Sequence, residues 1–178
     1  MGRYSLELQR GKKAEVCFKN IAENRGYDVT FSSRQVDMKD HIDLFLKKND
    51  KTFGIDVKAR RKVSRYSTEY DDEHTWVEFK NVRGNQGWLY GKADKIAFER
   101  QFDFLIVDRE ELSKYCETKV STVFVDKASD ALYKCYQRAG RQDVISRVNM
   151  DDVLHSNIFT KNPKIWKKKL TPQNRCVY

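Results

Sequence analysis

The sequence has little cysteine and histidine and no long apolar run, and each shortage excludes a class of protein. Its 178 residues include four cysteines without a CxxC pair and three histidines, so we expect free thiols and no structural zinc site. No apolar run approaches the length that crosses a membrane. The first residues, MGRYSLELQRGKK, lack the apolar segment of a signal peptide. We therefore expect a soluble, cytoplasmic protein in a reducing compartment, with no membrane partner.

Positive charge is what the chain has in excess. Lysine and arginine number 35 against 26 acidic residues, which gives a net charge of +9. Hydrophobic residues make up 39% of the chain, enough for a packed interior. A basic domain of this size favours a polyanionic partner, most simply nucleic acid. The alternative is a soluble protein with a charged, solvated surface.

The pattern of apolar residues predicts an α/β fold. Apolar residues recur at three- and four-residue steps between Leu6 and Arg25, which predicts a helix. A short strand in YDVTFSS follows, and Ile42–Lys48 and Lys51–Ala59 then form a hairpin. The further predicted elements are strands at 76–82, 102–107 and 120–125 and helices at 88–100, 130–139 and 150–155. This order predicts one domain, 1–160, with a mixed β-sheet flanked by helices, and a basic C-terminal tail, 161–178.

The hairpin carries acids where a strand would normally pack apolar side chains. Side chains alternate along a strand, so Asp56 and Lys58 share the face opposite Ile55 and Val57. The turn at "ND" brings Asp43 alongside Asp56, and two close carboxylates repel unless something neutralises them. Mg²⁺ does this well, because it prefers hard oxygen ligands. An ammonium such as that of Lys58 beside the cation suits phosphodiester hydrolysis.

These residues resemble the PD-(D/E)XK nuclease superfamily. Asp43 matches its lone Asp, and Asp56-Val57-Lys58 matches its tripeptide, with Asp in place of the commoner Glu and Ile42 in place of Pro. The stretch GKKAEVCFKNIAENRGYDV is similar to the opening helix of archaeal Holliday-junction resolvases and Mrr-like nucleases, in which a Glu one turn after a Gly reaches the metal. Glu15, after Gly11, occupies that position.

The resemblance implies a restriction-endonuclease-like fold and a metal-dependent endonuclease that acts on DNA. It implies that Asp43, Asp56, Glu15 and the carbonyl of Val57 bind Mg²⁺ or Mn²⁺ and that Lys58 orients or activates water. Related nucleases are often homodimers, which implies a second copy as a partner. A further stretch, TWVEFKNVRGNQGWLYGKADKIAFE, resembles nuclease-like proteins of phages and implies a virus-encoded protein acting inside its host cell.

A second tripeptide competes with the first. Glu78-Phe79-Lys80 is also an ExK on a predicted strand, and Gln86 follows it. We favour the first, because its short hairpin places Asp43 beside Asp56 directly. Glu78, Lys80 and Gln86 are then auxiliary residues near the site or along the DNA, or the first two form an exposed cross-strand ion pair.

Basic residues cluster around the predicted site, where they would contact the nucleic-acid backbone without reading sequence. They are Lys12, Lys13, Arg60, Arg61, Lys62 and Arg65. For each, the alternative is a solvated surface charge. Two rival functions stay open: a non-catalytic DNA-binding module that kept the nuclease fold, and a structural or interaction protein. The sequence does not specify the substrate, nor DNA over RNA.

Overall fold

The computed structural model describes residues 3–64 and 67–168, and the side chains from Leu6 onward within these ranges. The described chain divides into two compact units. The first comprises the residues up to Arg60, Ala93–Ile106 and those from Lys164 onward. The second comprises Arg61–Lys92 and Val107–Pro163.

The described residues contain four α-helices and twelve strands, which confirms the predicted α/β class with a mixed sheet. The helices are α1 (Arg3–Glu23), α2 (Arg34–Asp40), α3 (Arg109–Lys119) and α4 (Met150–His155). The strands are β1 (Asp28–Phe31), β2 (Leu44–Lys48), β3 (Lys51–Lys58), β4 (Arg61–Lys62), β5 (Tyr70–Asp71), β6 (His74–Lys80), β7 (Lys95–Glu99), β8 (Asp103–Asp108), β9 (Ser121–Val125), β10 (Lys134–Tyr136), β11 (Val144–Asn149) and β12 (Lys164–Lys167).

A six-stranded mixed sheet forms the first unit, in the order β1-β2-β3-β7-β8-β12. The pairs β1/β2 and β2/β3 are antiparallel, β3/β7 is parallel, and β8/β12 is antiparallel. The predicted hairpin is confirmed, with its turn at Asn49, which has a positive φ of 53°. Asparagine tolerates this left-handed conformation better than most residues do.

Helix α1 packs on this sheet through one apolar stripe. Ala14, Phe18 and Ile21 recur at helical spacing and join a buried cluster with strand residues such as Leu44 and Ile55. The helix ends before Gly26, whose φ of +77° suits glycine because it has no Cβ. Burial of this stripe fixes which face of the hairpin enters the core, and it leaves the other face of β3 for Asp56 and Lys58.

The second unit is built on a four-stranded sheet in the order β6-β11-β10-β9. Strand β11 runs antiparallel to β6 and β10, and β9 runs parallel to β10. A separate two-stranded ribbon pairs β4 with β5. The side chains of Asp108 and Asn149 cap the N-termini of α3 and α4 by accepting backbone N–H bonds.

Two sequence predictions in these regions, both of helices, are wrong. Residues 88–100 do not form a helix: a 3₁₀ turn at Trp88–Tyr90 precedes β7. Residues 130–139 hold a 3₁₀ turn and β10 instead of a helix. In the segment predicted as a tail, Lys164–Lys167 forms β12, while residues 169–178 lie outside the described part of the chain.

Among the described residues, no helix has the length and apolar character needed to cross a membrane. Three described cysteines, Cys17, Cys116 and Cys135, are free thiols. Burial raises the pKa of the Cys116 thiol, and this disfavours its reactive thiolate form.

Candidate active site

Strand pairing brings Asp43 close to the Asp56-Val57-Lys58 segment. The last pair between β2 and β3 is Leu44 with Ile55, and Asp43 precedes β2 by one residue. The backbone N–H of Asp43 donates over 2.8 Å to the carbonyl of Ile55, with which Leu44 already pairs, so the regular ladder is interrupted at Asp43. The Asp43 carboxyl group lies within electrostatic range of Asp56, whose negative charge raises its pKa.

The position of Asp43 is fixed by three hydrogen bonds. Besides its bond to Ile55, its carbonyl accepts from the backbone N–H of Ser32 at 2.9 Å. Its side-chain Oδ2 accepts from the backbone N–H of Val57 at 2.7 Å. One carboxylate oxygen is thus tied to the strand that carries Asp56, so Asp43 is held at the hairpin rather than extended into solvent.

Asp56 and Lys58 form an ion pair on the same face of β3. The Lys58 Nζ lies 2.7 Å from Asp56 Oδ2. Asp56 is only 3% exposed, whereas a quarter of the Lys58 side chain is accessible. A buried carboxylate is costly unless it is paired, and Lys58 supplies that partner while its ammonium also reaches the surface.

Burial and a neighbouring carboxylate both disfavour the charged form of Asp43. Burial, followed by the negative charge of Asp56, raises the pKa of Asp43 to about 8, against the smaller lowering effects of the Val57 hydrogen bond and the Lys58 charge. In the metal-free protein, Asp43 therefore keeps its proton at neutral pH. This is the expected behaviour of two close carboxylates that share one cation.

Glu15 acts on the same group from α1. It is half-buried, and its negative charge contributes to the raised pKa of Asp43, as the smallest of the five causes. Its Oε2 lies 2.7 Å from the Nζ of Lys12, whose ammonium is also 4.0 Å from the ring centre of Phe31. The structure thus brings Glu15 within electrostatic range of Asp43, while Glu15 also has an ion-pair partner of its own in Lys12.

The donor set fits a hard divalent cation only in part. Within residues 3–64 and 67–168, no three His, Cys, Asp or Glu side chains are close enough together to hold a metal ion by themselves. Asp43 and Asp56 are carboxyl groups within electrostatic range of each other, and Mg²⁺ commonly takes one or two protein carboxylates and completes its shell with water and phosphate. The pair therefore fits such an ion, whereas the carbonyl of Val57 and the side chain of Glu15 stay predictions as ligands.

The basic residues predicted to contact nucleic acid fall into both units. Lys13 is exposed on α1, and Arg60 is half-buried just after β3. Arg61 and Lys62 are exposed on β4, which belongs to the second unit. Arg65 lies outside the described residues.

The three auxiliary residues belong to the second unit rather than to the unit that carries Asp43 and Asp56. Glu78 and Lys80 lie on β6, where Glu78 pairs with Ile145 and Lys80 with Val144. Gln86 is exposed, and its backbone forms an isolated antiparallel β-bridge with Lys80. The exposed cross-strand ion pair predicted for Glu78 and Lys80 stays a prediction.

Sequence reasoning missed a buried carboxylate at the end of β7. Glu99 is 3% exposed, accepts from the backbone N–H of Arg60 at 3.2 Å, and lies 2.9 Å from the Nζ of Lys168. It thereby anchors the chain directly after Lys58. The sequence signal for this residue is the apolar run in KIAFE, which ends at Glu99. If this run is interpreted as a buried strand, Glu99 falls at the end of that strand.

Comparisons with known proteins add no relative. No family model matches the chain, and no curated protein or solved structure matches it.

Proposed function

We propose that the protein is a metal-dependent nuclease of the restriction-endonuclease-like type that hydrolyses DNA phosphodiester bonds. The observation that carries this proposal is the pair Asp43 and Asp56. The Asp43 carboxyl group is held at the hairpin by the N–H of Val57, close enough to Asp56 for the two charges to interact, and the pKa of Asp43 is raised to about 8. A buried carboxyl group whose pKa is strongly raised by burial and by a second carboxylate is the kind of group found at functional sites.

A divalent cation is the ligand that best compensates the negative charges of two close carboxylates. Asp43 and Asp56 would hold Mg²⁺ or Mn²⁺, with Glu15 and the Val57 carbonyl as further ligands. Such a cation supplies charge stabilisation at phosphorus and a more acidic bound water. Its hard-oxygen preference also leaves coordination positions for a phosphate of the substrate.

The chain's own residues then have separate roles. Asp56 anchors the Lys58 ammonium at 2.7 Å, so that this group is positioned at the edge of the carboxylate pair. Lys58 orients the attacking water and stabilises the negative charge that develops on the phosphate oxygens. Lys12, Lys13, Arg60, Arg61 and Lys62 neutralise neighbouring phosphates and hold the strand in place.

The order of elements supports the same conclusion. Helix α1 carries Glu15, and an antiparallel hairpin then carries Asp43 and the Asp56-Val57-Lys58 tripeptide. This is the arrangement that the resemblance to PD-(D/E)XK nucleases implies. The net charge of +9 supports a polyanionic substrate.

One observation favours the alternative of a non-catalytic DNA-binding module. Lys58 already pairs with Asp56, and the described residues lack a third nearby metal-ligating side chain. A fold that had lost catalysis would show the same features. The two functions differ in cleavage, not in binding.

The deciding experiment is a cleavage panel of supercoiled plasmid and of linear, nicked, branched and single-stranded DNA, each with Mg²⁺ or Mn²⁺. We expect the wild type to cut at least one class, Asp56→Ala to cut none, and Lys58→Ala to cut about 10²–10⁴-fold more slowly. Asp50→Ala, at the exposed end of the same hairpin, is the matched control and should cut normally. DNA binding without cutting in either metal would establish the alternative.

A further inference from the structure

Two neighbouring loops of the second unit form one surface. The first, residues 81–87, follows β6, and the second, residues 137–143, joins β10 to β11. The N–H of Gln142 donates to the carbonyl of Val82 at 3.3 Å. The side chain of Gln142 also lies against Gly84, where its Oε1 is 2.7 Å from the position that a Cβ would take. The two loops are therefore in contact, and their side chains belong to one surface.

This surface is basic, and all of its positive charges are arginines. The two loops contain no lysine, although lysine outnumbers arginine in the whole chain, and their single acid, Asp143, is fully buried. Lysine binds a phosphate as a point charge, whereas arginine, asparagine and glutamine bind the edges of bases through two parallel hydrogen bonds. The surface therefore has the chemistry of base recognition. Its arginines and exposed amides are Arg83, Arg138 and Arg141 with Asn85, Gln86, Gln137 and Gln142.

Arg138 is held in one orientation by a buried aspartate. Asp143 is 0% exposed, and its Oδ1 accepts the backbone N–H of Arg138 at 3.2 Å. Its Oδ2 accepts from Nε of the same arginine, whereas 40% of the Arg138 side chain is exposed. Within the described residues, the hydrogen bonds of this guanidinium run through Nε, so its two Nη nitrogens can donate to an outside acceptor. A two-pronged donor is thus fixed in direction before a ligand binds.

Both loops are also held in shape by their own backbone. Gly84 and Gly140 have φ of +80° and +71°, in the left-handed region that glycine adopts without strain. In the first loop, the side-chain Oδ1 of Asn81 accepts from the N–H groups of Arg83 and Asn85, at 2.9 and 3.2 Å. Preformed loops lose little conformational entropy on binding, which favours directed contacts.

We propose that these two loops read base edges in the major groove of duplex DNA, and that Arg138 recognises a guanine through its O6 and N7. The inference rests on the proposed nuclease function and adds sequence selectivity, which the proposed active site does not determine. An arginine that only neutralised a phosphate would need no fixed direction, whereas two parallel hydrogen bonds to one planar edge need one. Arginine to guanine is the commonest specific base contact, and amides such as those of Asn85 and Gln142 suit adenine at neighbouring positions.

The first test needs no variant. Full-length protein selects binding sites from a DNA duplex library with a randomised central segment, with Ca²⁺ in place of Mg²⁺ so that binding is measured without cutting. We expect the selected sequences to share a guanine at a fixed position. Affinity for that site is then measured with 7-deazaguanine or hypoxanthine in place of this guanine. 7-Deazaguanine lacks N7 and should weaken binding about 5-fold or more, whereas hypoxanthine keeps O6 and N7 and should bind like guanine.

Arg138→Lys keeps the charge and removes the paired donors. We expect the preference for guanine over other bases, about 5–150-fold in the wild type, to fall to about twofold. Affinity for random-sequence duplex and the slope of log K against log salt should stay unchanged, because the charge is kept.

Two further variants change exposed side chains, and circular dichroism and thermal unfolding check that every variant folds. Asn85→Ala/Gln86→Ala should keep the preference for guanine and lose a preference at a neighbouring position. Lys127→Gln, at an exposed lysine of the same unit outside the loops, is the control and should keep every preference.

The outcomes separate this inference from the proposed function. If 7-deazaguanine binds as well as guanine, or the selection returns no preferred base, the loops do not read base edges and the inference is overturned. Mg²⁺-dependent cutting without sequence preference would also overturn it and leave the nuclease proposal intact. Guanine-selective binding by a wild type that never cuts would support the role of the loops and overturn catalysis. A wild type that binds no duplex overturns this inference, while the cleavage panel still decides the nuclease proposal.

Discussion

The Oδ2 of Asp43 accepts the N–H of Val57, the residue that follows Asp56, at 2.7 Å. This bond holds the Asp43 carboxyl group close to Asp56, whose charge acts on it, while the ammonium of Lys58 lies 2.7 Å from Asp56. The raised pKa of Asp43 follows from this arrangement together with burial. The properties of the proposed site can therefore be tested by changing one charge at a time.

Replacing Lys58 should separate catalysis from cation binding. In Lys58→Met, we expect DNA cleavage to fall by about 10²–10⁴-fold, the usual effect of losing a positioned proton-transfer or charge-stabilising group. Mn²⁺ binding should be unchanged or tighter, because the Lys58 ammonium no longer competes for Asp56 Oδ2. Calorimetric titration of the DNA-free protein with Mn²⁺ measures the affinity, and a gel assay measures cleavage.

Two further variants serve as controls for this result. Asp56→Asn should lose both Mn²⁺ binding and cleavage, since it removes a ligand. Lys51→Met, at the exposed start of the same strand, should change neither. If Lys58→Met loses Mn²⁺ affinity as Asp56→Asn does, Lys58 is needed to organise the aspartates, and its proposed role toward water is wrong.

The raised pKa of Asp43 predicts how stability depends on pH in the metal-free protein. Below pH 4, Asp43 is protonated in both the folded and unfolded states, so its titration does not change the free energy of unfolding. As the pH rises from 4 to 8, the unfolded chain releases this proton while the folded chain keeps it, so the free energy of unfolding falls. Above pH 8, where both states are deprotonated, the free energy of unfolding falls no further on account of Asp43. Asp43→Asn should therefore be more stable than the wild type at pH 9, by a few kcal/mol at most, and equal to it near pH 4.

Urea unfolding in EDTA across this pH range measures the difference. Adding Mg²⁺ at pH 8 should stabilise the wild type but not Asp43→Asn, because only the wild type keeps both carboxylates. Asp50→Asn, exposed in the hairpin turn, should match the wild type at every pH. If the free energy of unfolding of the wild type instead rises relative to that of Asp43→Asn as the pH rises, the charges of Asp43 and Asp56 are already neutralised within the protein.

The part of the fold that carries the proposed site is the part that local sequence signals specify well. The spacing of Ala14, Phe18 and Ile21 predicts α1, and the alternation around Asp56 with the "ND" turn predicts the hairpin and its register. These elements are contiguous in the chain. Turn length then determines which residues of β2 and β3 face each other, so the approach of Asp43 to the Asp56-Val57-Lys58 segment could be predicted from sequence alone.

The elements that sequence missed depend on distant partners. Strand β7 lies between β3 and β8, is mostly buried, and reads as a continuous apolar run that periodicity cannot distinguish from a buried helix. Strand β12 is short, basic and largely exposed, and it exists because β8 offers an edge and Trp166 stacks on Phe18 at 5.4 Å. Helix α2 buries nothing, so no amphipathic pattern marks it.

Replacing glycine by alanine should change the stability of the protein in opposite directions at two positions. A Cβ at Gly87 would lie 2.1 Å from the carbonyl oxygen of Glu78, which is backbone and cannot turn aside. We expect Gly87→Ala to destabilise the second unit by about 3 kcal/mol or more. Gly11, inside α1, has no atom within 4 Å of the equivalent position. Gly11→Ala should stabilise the protein by about 0.5–1 kcal/mol, because alanine loses less backbone entropy in a helix.

Chemical denaturation of both variants beside the wild type gives these values. If Gly87→Ala is as stable as the wild type, the close approach of the 86–88 loop to β6 is not maintained in solution.

The buried ion pair between Glu99 and Lys168 should make the described C-terminal end of the chain necessary for stability. Lys168 Nζ lies 2.9 Å from Glu99 Oε1 and donates to the carbonyl of Arg100 at 2.7 Å. Lys168→Met leaves a buried carboxylate without its cation, so we expect a loss of about 3–5 kcal/mol in the free energy of unfolding. The double variant Glu99→Gln/Lys168→Met should recover part of it, whereas Lys167→Met, at an exposed neighbour, should change stability by less than about 0.5 kcal/mol. Equal, small effects of Lys168→Met and Lys167→Met in urea unfolding would mean that β12 does not anchor the chain and that the segment behaves as a tail.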